Sequence, residues 1–285
     1  MDMHSMDMRS LEIKPLNASF GATVTGVNLA ELNDSTFAEL YGLWLQYALL
    51  IFPGQFLSRD TQVEFAKRFG DLEFEYAPIS NLTREGVVRE NDDVVKILKG
   101  NMDWHCDSTY MPIMAKGAVF SAHVVPAEGG ATGWADMRAA YAALDVHTRD
   151  QVDSLAARHS LRHSQAKVGH AHSEHSQYSG YGFHDGDIPL RPLVKQHPET
   201  GVKSLLIGRH AYGLAGMSDA ESEQFLARLV VEACADNRVY FHQWSQGDVV
   251  VWDNRCLLHR ANDWDMKLPR VMYHSRIAGD PNSEC

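Results

Sequence analysis

The sequence predicts a mainly β protein with helical decoration, built on a double-stranded β-helix (jelly-roll) core. Three observations carry this. Short runs rich in Val, Thr and aromatic residues recur between turns that bear Gly or Pro. Helical periodicity is confined to the front of the chain and to insertions. No Gly-x-Gly-x-x-Gly follows a strand, which counts against a dinucleotide-binding fold.

Residues 11–30 alternate around Phe20, Thr23, Val24 and Val27 and read as two short strands with a turn. A helix follows with Phe37, Leu40, Tyr41, Trp44 and Leu45 on one face, capped by Asp34 or Ser35. The apolar run 48–52, closed by Pro53 and Gly54, reads as a buried strand. Ser58 opens a second helix, packed by Phe65, Ala66 and Phe69 and stopped by Gly70. From 71 to 93 the pattern is irregular and polar, and a loop of that length is expected to act as a lid. Strand candidates lie at 117–125 and 129–132, then a short helix near 136–144. A second lid-like insertion, 160–187, is dense in His, Ser and Gly. Strands resume at 190–195 and 204–209. Ser218 and Glu221 form a capping box for a helix whose apolar face is Phe225, Leu226, Leu229 and Val230. The chain closes with strands at 247–253 and 270–277.

At 285 residues and 45% hydrophobic content, the chain can bury a full core. Residues 1–10 lack an apolar run and read as a frayed tail before a single domain, 11–285. With 26 Lys and Arg against 37 Asp and Glu, the net charge of −11 disfavours nucleic acid and anionic membranes as partners. An anionic substrate would have to be drawn in by local arginines. No run approaches the ~20 apolar residues of a spanning helix. Cys106, Cys234, Cys256 and Cys285 show no framework spacing, so reduced thiols and a cytoplasmic location are expected.

Within 99–110 the triplet His105-Cys106-Asp107 stands out. If extended, His105 and Asp107 present an imidazole and a carboxylate to one point, with Cys106 turned away. That is part of a 2-His-1-carboxylate metal site. The triplet alone decides little. Fifteen histidines and 37 acidic residues give about two His-x-(Asp/Glu) matches by chance, and three occur, the others at His172/Glu174 and His197/Glu199. His197, in a Pro-Glu-Thr-Gly turn, reads as a surface residue. What lifts His105 is the far end of the chain, where His259 lies just past a buried strand and turn. A further strand throws Arg270, Met272, His274 and Arg276 to one face and Val271, Tyr273, Ser275 and Ile277 to the other. Cationic groups on one strand face in an acidic protein fit a carboxylate pocket, where an arginine fork pairs both oxygens. A solvated outer face is the other reading.

Four pieces in order now make a specific pattern: Trp104-His105-Cys106-Asp107-Ser108, Gly129-Gly130-Ala131-Thr132, Trp252-Asp253-Asn254-Arg255 with His259, and Arg270. The chain resembles the taurine dioxygenase / 2,4-dichlorophenoxyacetate dioxygenase (TauD/TfdA) family of Fe(II)- and 2-oxoglutarate-dependent oxygenases, over roughly 11–280. Carried over position by position, the resemblance makes His105, Asp107 and His259 the catalytic iron ligands. It makes Thr132 and Arg270 the residues that hold the distal carboxylate of 2-oxoglutarate. Trp252 would pack beside the metal, or serve as an ordinary core aromatic. Asn101 falls where the taurine enzyme faces substrate, although a turn role suits it equally. In the family, oxidative decarboxylation of 2-oxoglutarate to succinate and CO2 is coupled to oxidation of the substrate by O2, with ascorbate as an in vitro reductant. A homo-oligomer is implied as well.

The taurine enzyme's sulfonate arginine lies four residues past the 2-oxoglutarate arginine, and here that position is His274. The segments around 48–54, 104–112, 117–122, 135–141, 205–211 and 268–272 resemble the aryloxyalkanoate branch, in particular enzymes of (S)-phenoxypropionate herbicides (dichlorprop and mecoprop type). Oxidation at the ether carbon would release a phenol and pyruvate. Arg276, His274 and His210 are the candidates for the substrate carboxylate, and Tyr212 stands where relatives carry another histidine. Taurine, another alkylsulfonate or another small carboxylate is the alternative within the family. Two other classes stay open. The histidines 159, 163, 170, 172, 175 and 184 could hold zinc or nickel, with His159 and His163 one turn apart on a helix. A non-enzymatic jelly-roll binding module is the second.

Overall fold

The apolar run 249–252 lies at the heart of the fold, buried on both sides. The computed structural model describes residues 11–169 and 181–285. In chain order its elements are β1 (Glu12–Pro15), β2 (Ala22–Thr25), α1 (Asp34–Tyr47), β3 (Leu49–Phe52), α2 (Arg59–Lys67), β4 (Leu72–Ser80) and α3 (Asp93–Gly100). Then come β5 (Gly117–Val124), β6 (Thr132–Asp136), α4 (Met137–Ala142), α5 (Val146–Ser154), β7 (Ala156–His159) and α6 (Leu161–Lys167). The last part holds β8 (Leu190–Pro192), β9 (Val194–Gln196), β10 (Lys203–Leu205), β11 (Ala211–Tyr212) and α7 (Asp219–Ala233). It ends with β12 (Val239–His242), β13 (Val249–Asp253), β14 (Leu257–Ala261) and β15 (Val271–Ile277).

A seven-stranded sheet runs in the order β1-β2-β3-β13-β5-β15-β4. A three-stranded sheet, β12-β6-β14, is the second wall of the jelly roll, and two smaller sheets, β11-β7-β8 and β10-β9, flank it. Alternation on the central strands explains the layering. On β13, Val249 and Val251 pack with Trp44 of α1 and Phe65 of α2. Val250 and Trp252 point the other way, onto Phe120, Trp134, Leu257 and Met272 inside the sandwich. A third cluster holds α7 through Phe225, Leu226 and Leu229, and includes Cys106 and Leu258. The capping box of Ser218 and Glu221 forms as expected. No described helix is long and apolar enough to cross a membrane.

Four expectations need correction. The stretch 72–80, read as part of a lid, is a strand at the sheet edge, paired with β15. Leu72, Phe74 and Tyr76 alternate with Glu73 and Glu75, and the acidic residues masked a period-2 signal. The 160–187 insertion is not all loop, since 161–167 form α6, capped by Ser160. His159 and His163 lie on different elements, β7 and α6, rather than one turn apart on one helix. His197 is not a surface residue: it is 3% exposed, with Nε2 at 2.9 Å from Asp253 Oδ2.

Candidate metal and keto-acid site

His105 and His259 face each other across an isolated antiparallel bridge, with His105 N–H donating to the His259 carbonyl at 3.0 Å and the reverse bond at 2.8 Å. Their ring centroids lie 4.2 Å apart. Beyond Asp107 the chain stops being extended and turns, with Ser108 at φ +56°. Cys106 faces away, as alternation predicts, its thiol donating to the Asn254 carbonyl at 3.0 Å. Asn254 fixes Asp107 from both sides. It accepts from the Asp107 N–H at 2.9 Å and donates to the Asp107 carbonyl at 3.0 Å. Its neighbour Asp253 is locked by Arg255, at 2.8 and 2.7 Å, and by His197. The Asp-Asn-Arg part of the sequence pattern is therefore a brace for the acidic ligand candidate. Spacing and alternation give Asn254 no role, although it lies in the Trp252-Asp253-Asn254-Arg255 pattern.

One ring nitrogen of His105, one of His259 and a carboxylate oxygen of Asp107 lie within 4.8 Å of one another. His105 Nδ1 meets the Asp103 carbonyl at 2.8 Å, which assigns it the proton and leaves Nε2 with a lone pair. Burial and the neighbouring His259 push the His105 pKa down to about 3. Burial would raise the Asp107 carboxyl, but Arg276 and then the surrounding imidazoles hold it below the usual range. Asp107 Oδ2 has no hydrogen-bond partner, and it lies 3.6 Å from His259 Nε2 and 3.7 Å from His274 Nε2. A buried anionic oxygen without a donor costs about 1–3 kcal/mol or more, and a cation between the imidazoles and this oxygen removes that cost. Neutral imidazoles and an ionised carboxylate are the protonation states a metal requires. The residues fit a metal ion.

Arg270 is 3% exposed, and no described carboxylate pairs with it. Its Nε donates to the Gly130 carbonyl at 3.2 Å, its backbone N–H to Asn81 Oδ1 at 2.8 Å, and its Nη2 has no partner. Burial lowers its pKa to about 10. Gly130 is held at φ +65°, and a Cβ there would come 3.3 Å from the Arg270 side chain. Residues 129–131 are accordingly a close-approach segment leading into β6 rather than a strand, and β6 begins at Thr132. Thr132 Oγ1 accepts from Trp244 Nε1 at 2.9 Å, leaving its own proton to donate. This corner is buried and cationic, with donors that suit a carboxylate. Trp252 packs its ring 4.9 Å from His259 and 5.5 Å from His274.

On β15, Met272, His274 and Arg276 all enter the sandwich, so the one-face reading holds. Arg276 Nη2 lies 2.9 Å from Asp107 Oδ1. Burial and Arg276 push His274 down to about 3, leaving a neutral imidazole. His210 is buried 5.9 Å from the His105 ring and 4.8 Å from Tyr110, with Nδ1 at 2.8 Å from Ser164 Oγ. Tyr212 is not with them. It stacks on His163 at 4.2 Å and lines a separate cavity of about 520 Å³ with Trp104, Arg209 and Arg260. Asn101 caps α3, and its carbonyl accepts from the Ala261 N–H at 2.8 Å. Of the proposed zinc or nickel ligands, His170, His172 and His175 lie outside the described residues. Those described are scattered: His184 Nε2 meets the Tyr110 carbonyl at 2.8 Å, and His159 is buried with neither ring nitrogen bonded. Among the described residues, the only cluster suited to a metal is His105, Asp107 and His259.

The jelly roll and this two-histidine, one-carboxylate cluster define a class. The chain belongs to the taurine catabolism dioxygenase TauD, TfdA family, whose profile matches residues 12–276. It is 60% identical over 279 residues to an (S)-phenoxypropionate/alpha-ketoglutarate-dioxygenase of Sphingobium herbicidovorans, covering 96% of this chain and 97% of that protein. A protein of the same name from Delftia acidovorans is also 60% identical, over 284 residues, with the same coverage. Among solved structures, AAD-2 in complex with Mn(II) and N-oxalylglycine superposes with a TM-score of 0.86 at 34% identity, covering 95% of this chain and 97% of that one.

Proposed function

We propose that this chain is an Fe(II)- and 2-oxoglutarate-dependent dioxygenase that oxidises the ether carbon of an (S)-2-aryloxypropionate, releasing a phenol and pyruvate with succinate and CO2. The observation that carries the reading is Asp107 Oδ2, buried without a partner and faced by imidazole nitrogens. The 60% identity to two (S)-phenoxypropionate dioxygenases supports the substrate class.

His105, Asp107 and His259 would hold the metal, and Arg270 with Thr132 the distal carboxylate of 2-oxoglutarate. When bound, the iron with 2-oxoglutarate and O2 supplies the oxidising power that turns the ether C–H into C–OH. The protein binds, orients and keeps water out. Arg270 donates from a buried guanidinium, where a charge-assisted pair is strongest. Trp252 closes the wall beside His259. Arg276, permanently charged, stays the first candidate for the substrate carboxylate through Nε, since Nη1 is taken by Ser108 and Nη2 by Asp107. His210 and His274, both held neutral by burial, can offer only an N–H dipole. The product at the ether carbon is a hemiketal, which collapses to phenol and pyruvate without a further catalytic group. A neutral His274 at the sulfonate-arginine position disfavours taurine.

Succinate release with Fe(II), ascorbate and a panel of (S)- and (R)-2-phenoxypropionate, phenoxyacetate and taurine tests this. The (S)-phenoxypropionate is expected to give the highest kcat/KM, with phenol equal to succinate. Turnover of taurine alone would overturn the substrate assignment.

A further inference from the structure

Around Arg276 runs a hydrogen-bond chain that none of the roles above uses. Ser108 Oγ donates to Glu73 Oε2 at 3.0 Å, and the Tyr181 hydroxyl donates to Glu73 Oε1. The two hydroxyl oxygens lie 2.9 Å apart. Both protons are thus directed to one carboxylate, so Ser108 Oγ has only lone pairs left to offer. It uses one to accept from Arg276 Nη1 at 3.1 Å. The guanidinium also lies against a pair of touching rings, 4.7 Å from Phe74 and 5.4 Å from Tyr181. Its remaining fork atom, Nη2, reaches Asp107 Oδ1. Ser108 adopts φ +56°, a left-handed conformation that non-glycine residues rarely take. That backbone aims a hydroxyl at Arg276 immediately after the acidic ligand candidate, and sites holding such strain are often functional.

We propose that Ser108, Glu73 and Tyr181 are positioning residues that fix the Arg276 guanidinium and, through it, the orientation of the Asp107 carboxylate. Arg276 occupies Oδ1, which leaves Oδ2 alone to face the histidines. Glu73 sets the direction of both hydroxyl protons, Ser108 passes that polarity to Arg276, and Tyr181 brings the chain beyond 180 against the edge of the large sheet. The inference rests on the reading of Asp107 as a metal ligand, and the KM arm of its test rests also on Arg276 as the residue that meets the substrate carboxylate.

Ser108→Gly separates positioning from folding, because glycine accepts the left-handed backbone while removing the hydroxyl. It is expected to fold, with a melting temperature below the wild-type value, because Arg276 Nη1 and Glu73 Oε2 lose a buried partner. Its Mn(II) dissociation constant by calorimetry is expected to rise about tenfold or more, the usual loss when a partner of a metal ligand is removed. Tyr181→Phe, which leaves Ser108 in place, is expected to lose less. With (S)-2-phenoxypropionate, KM should rise more than kcat falls in both variants. Wild-type Mn(II) affinity and wild-type KM in a folded Ser108→Gly would overturn the proposal. A wild-type enzyme inert on phenoxypropionates would overturn the substrate reading instead, while weakened Mn(II) binding in the variant would still support the positioning role.

Discussion

Arg276 Nη2 lies 2.9 Å from Asp107 Oδ1, while Oδ2 of the same carboxylate has no hydrogen-bond partner. One oxygen is tied to a protein cation and the other is presented to the imidazoles. Removing one partner of such a buried pair costs about 3–5 kcal/mol, because the other charge is left without compensation. Arg276→Met is expected to lose about that much in denaturant unfolding of the metal-free protein. Added Mn(II) should recover part of the loss, since the ion supplies the missing positive charge.

Arg270 is the residue proposed above to hold the keto acid. A charge-assisted hydrogen bond is worth about 1.5–3 kcal/mol, so Arg270→Leu is expected to raise the 2-oxoglutarate KM about tenfold to a hundredfold or more. The KM for the aryloxyalkanoate should change far less. Succinate formation against each concentration in turn distinguishes the two effects.

Asn254 is buried, and it holds the Asp107 N–H and carbonyl and the Ala115 carbonyl. Asn254→Ala leaves these buried groups unpaired. We expect a loss of about 1–3 kcal/mol per stranded group at most and a Mn(II) affinity about tenfold to a hundredfold weaker. Guanidinium titration and calorimetry on one sample check both.

His159 gives a stability prediction away from the metal cluster. Its ring nitrogens have no partner, and burial, helped by Arg191, pushes its pKa from 6.5 to about 3. The unfolded imidazole takes up a proton below pH 6.5, whereas the folded one stays neutral down to about 3. The folded value is depressed, so stability is fully present above pH 6.5 and declines as the pH falls toward 3. The slope from this group approaches about 1.4 kcal/mol per pH unit. His159→Gln should flatten the pH dependence of unfolding between 6 and 4; an unchanged slope would contradict the assignment.

Much of this was legible in the chain. The alternation of β15 put Met272, His274 and Arg276 on one face because side chains on a strand repeat every second residue, and the structure buries all three. The valines of β13 read as buried because both faces are covered. Less visible was the strand Leu72–Ser80, whose Glu73 and Glu75 masked its alternation. That strand brings Glu73 and Phe74 to Arg276, across a register shift between His274 and Arg276 that periodicity does not reveal. Tyr212 was misplaced for a related reason: a position two residues past His210 lies on a short strand beside His163, and no local pattern shows which cavity it lines. His197 looked like turn chemistry, and only the folded chain brings Asp253 to its ring.

The central claim is that His105, Asp107 and His259 together hold one catalytic metal ion. The measurement that tests it most directly is Mn(II) stoichiometry of untagged protein by calorimetry, in the wild type and in folded His105→Ala. The account predicts one equivalent in the wild type and none in the variant. Metal retained in His105→Ala, and lost instead when His170 and His172 are replaced, would contradict it.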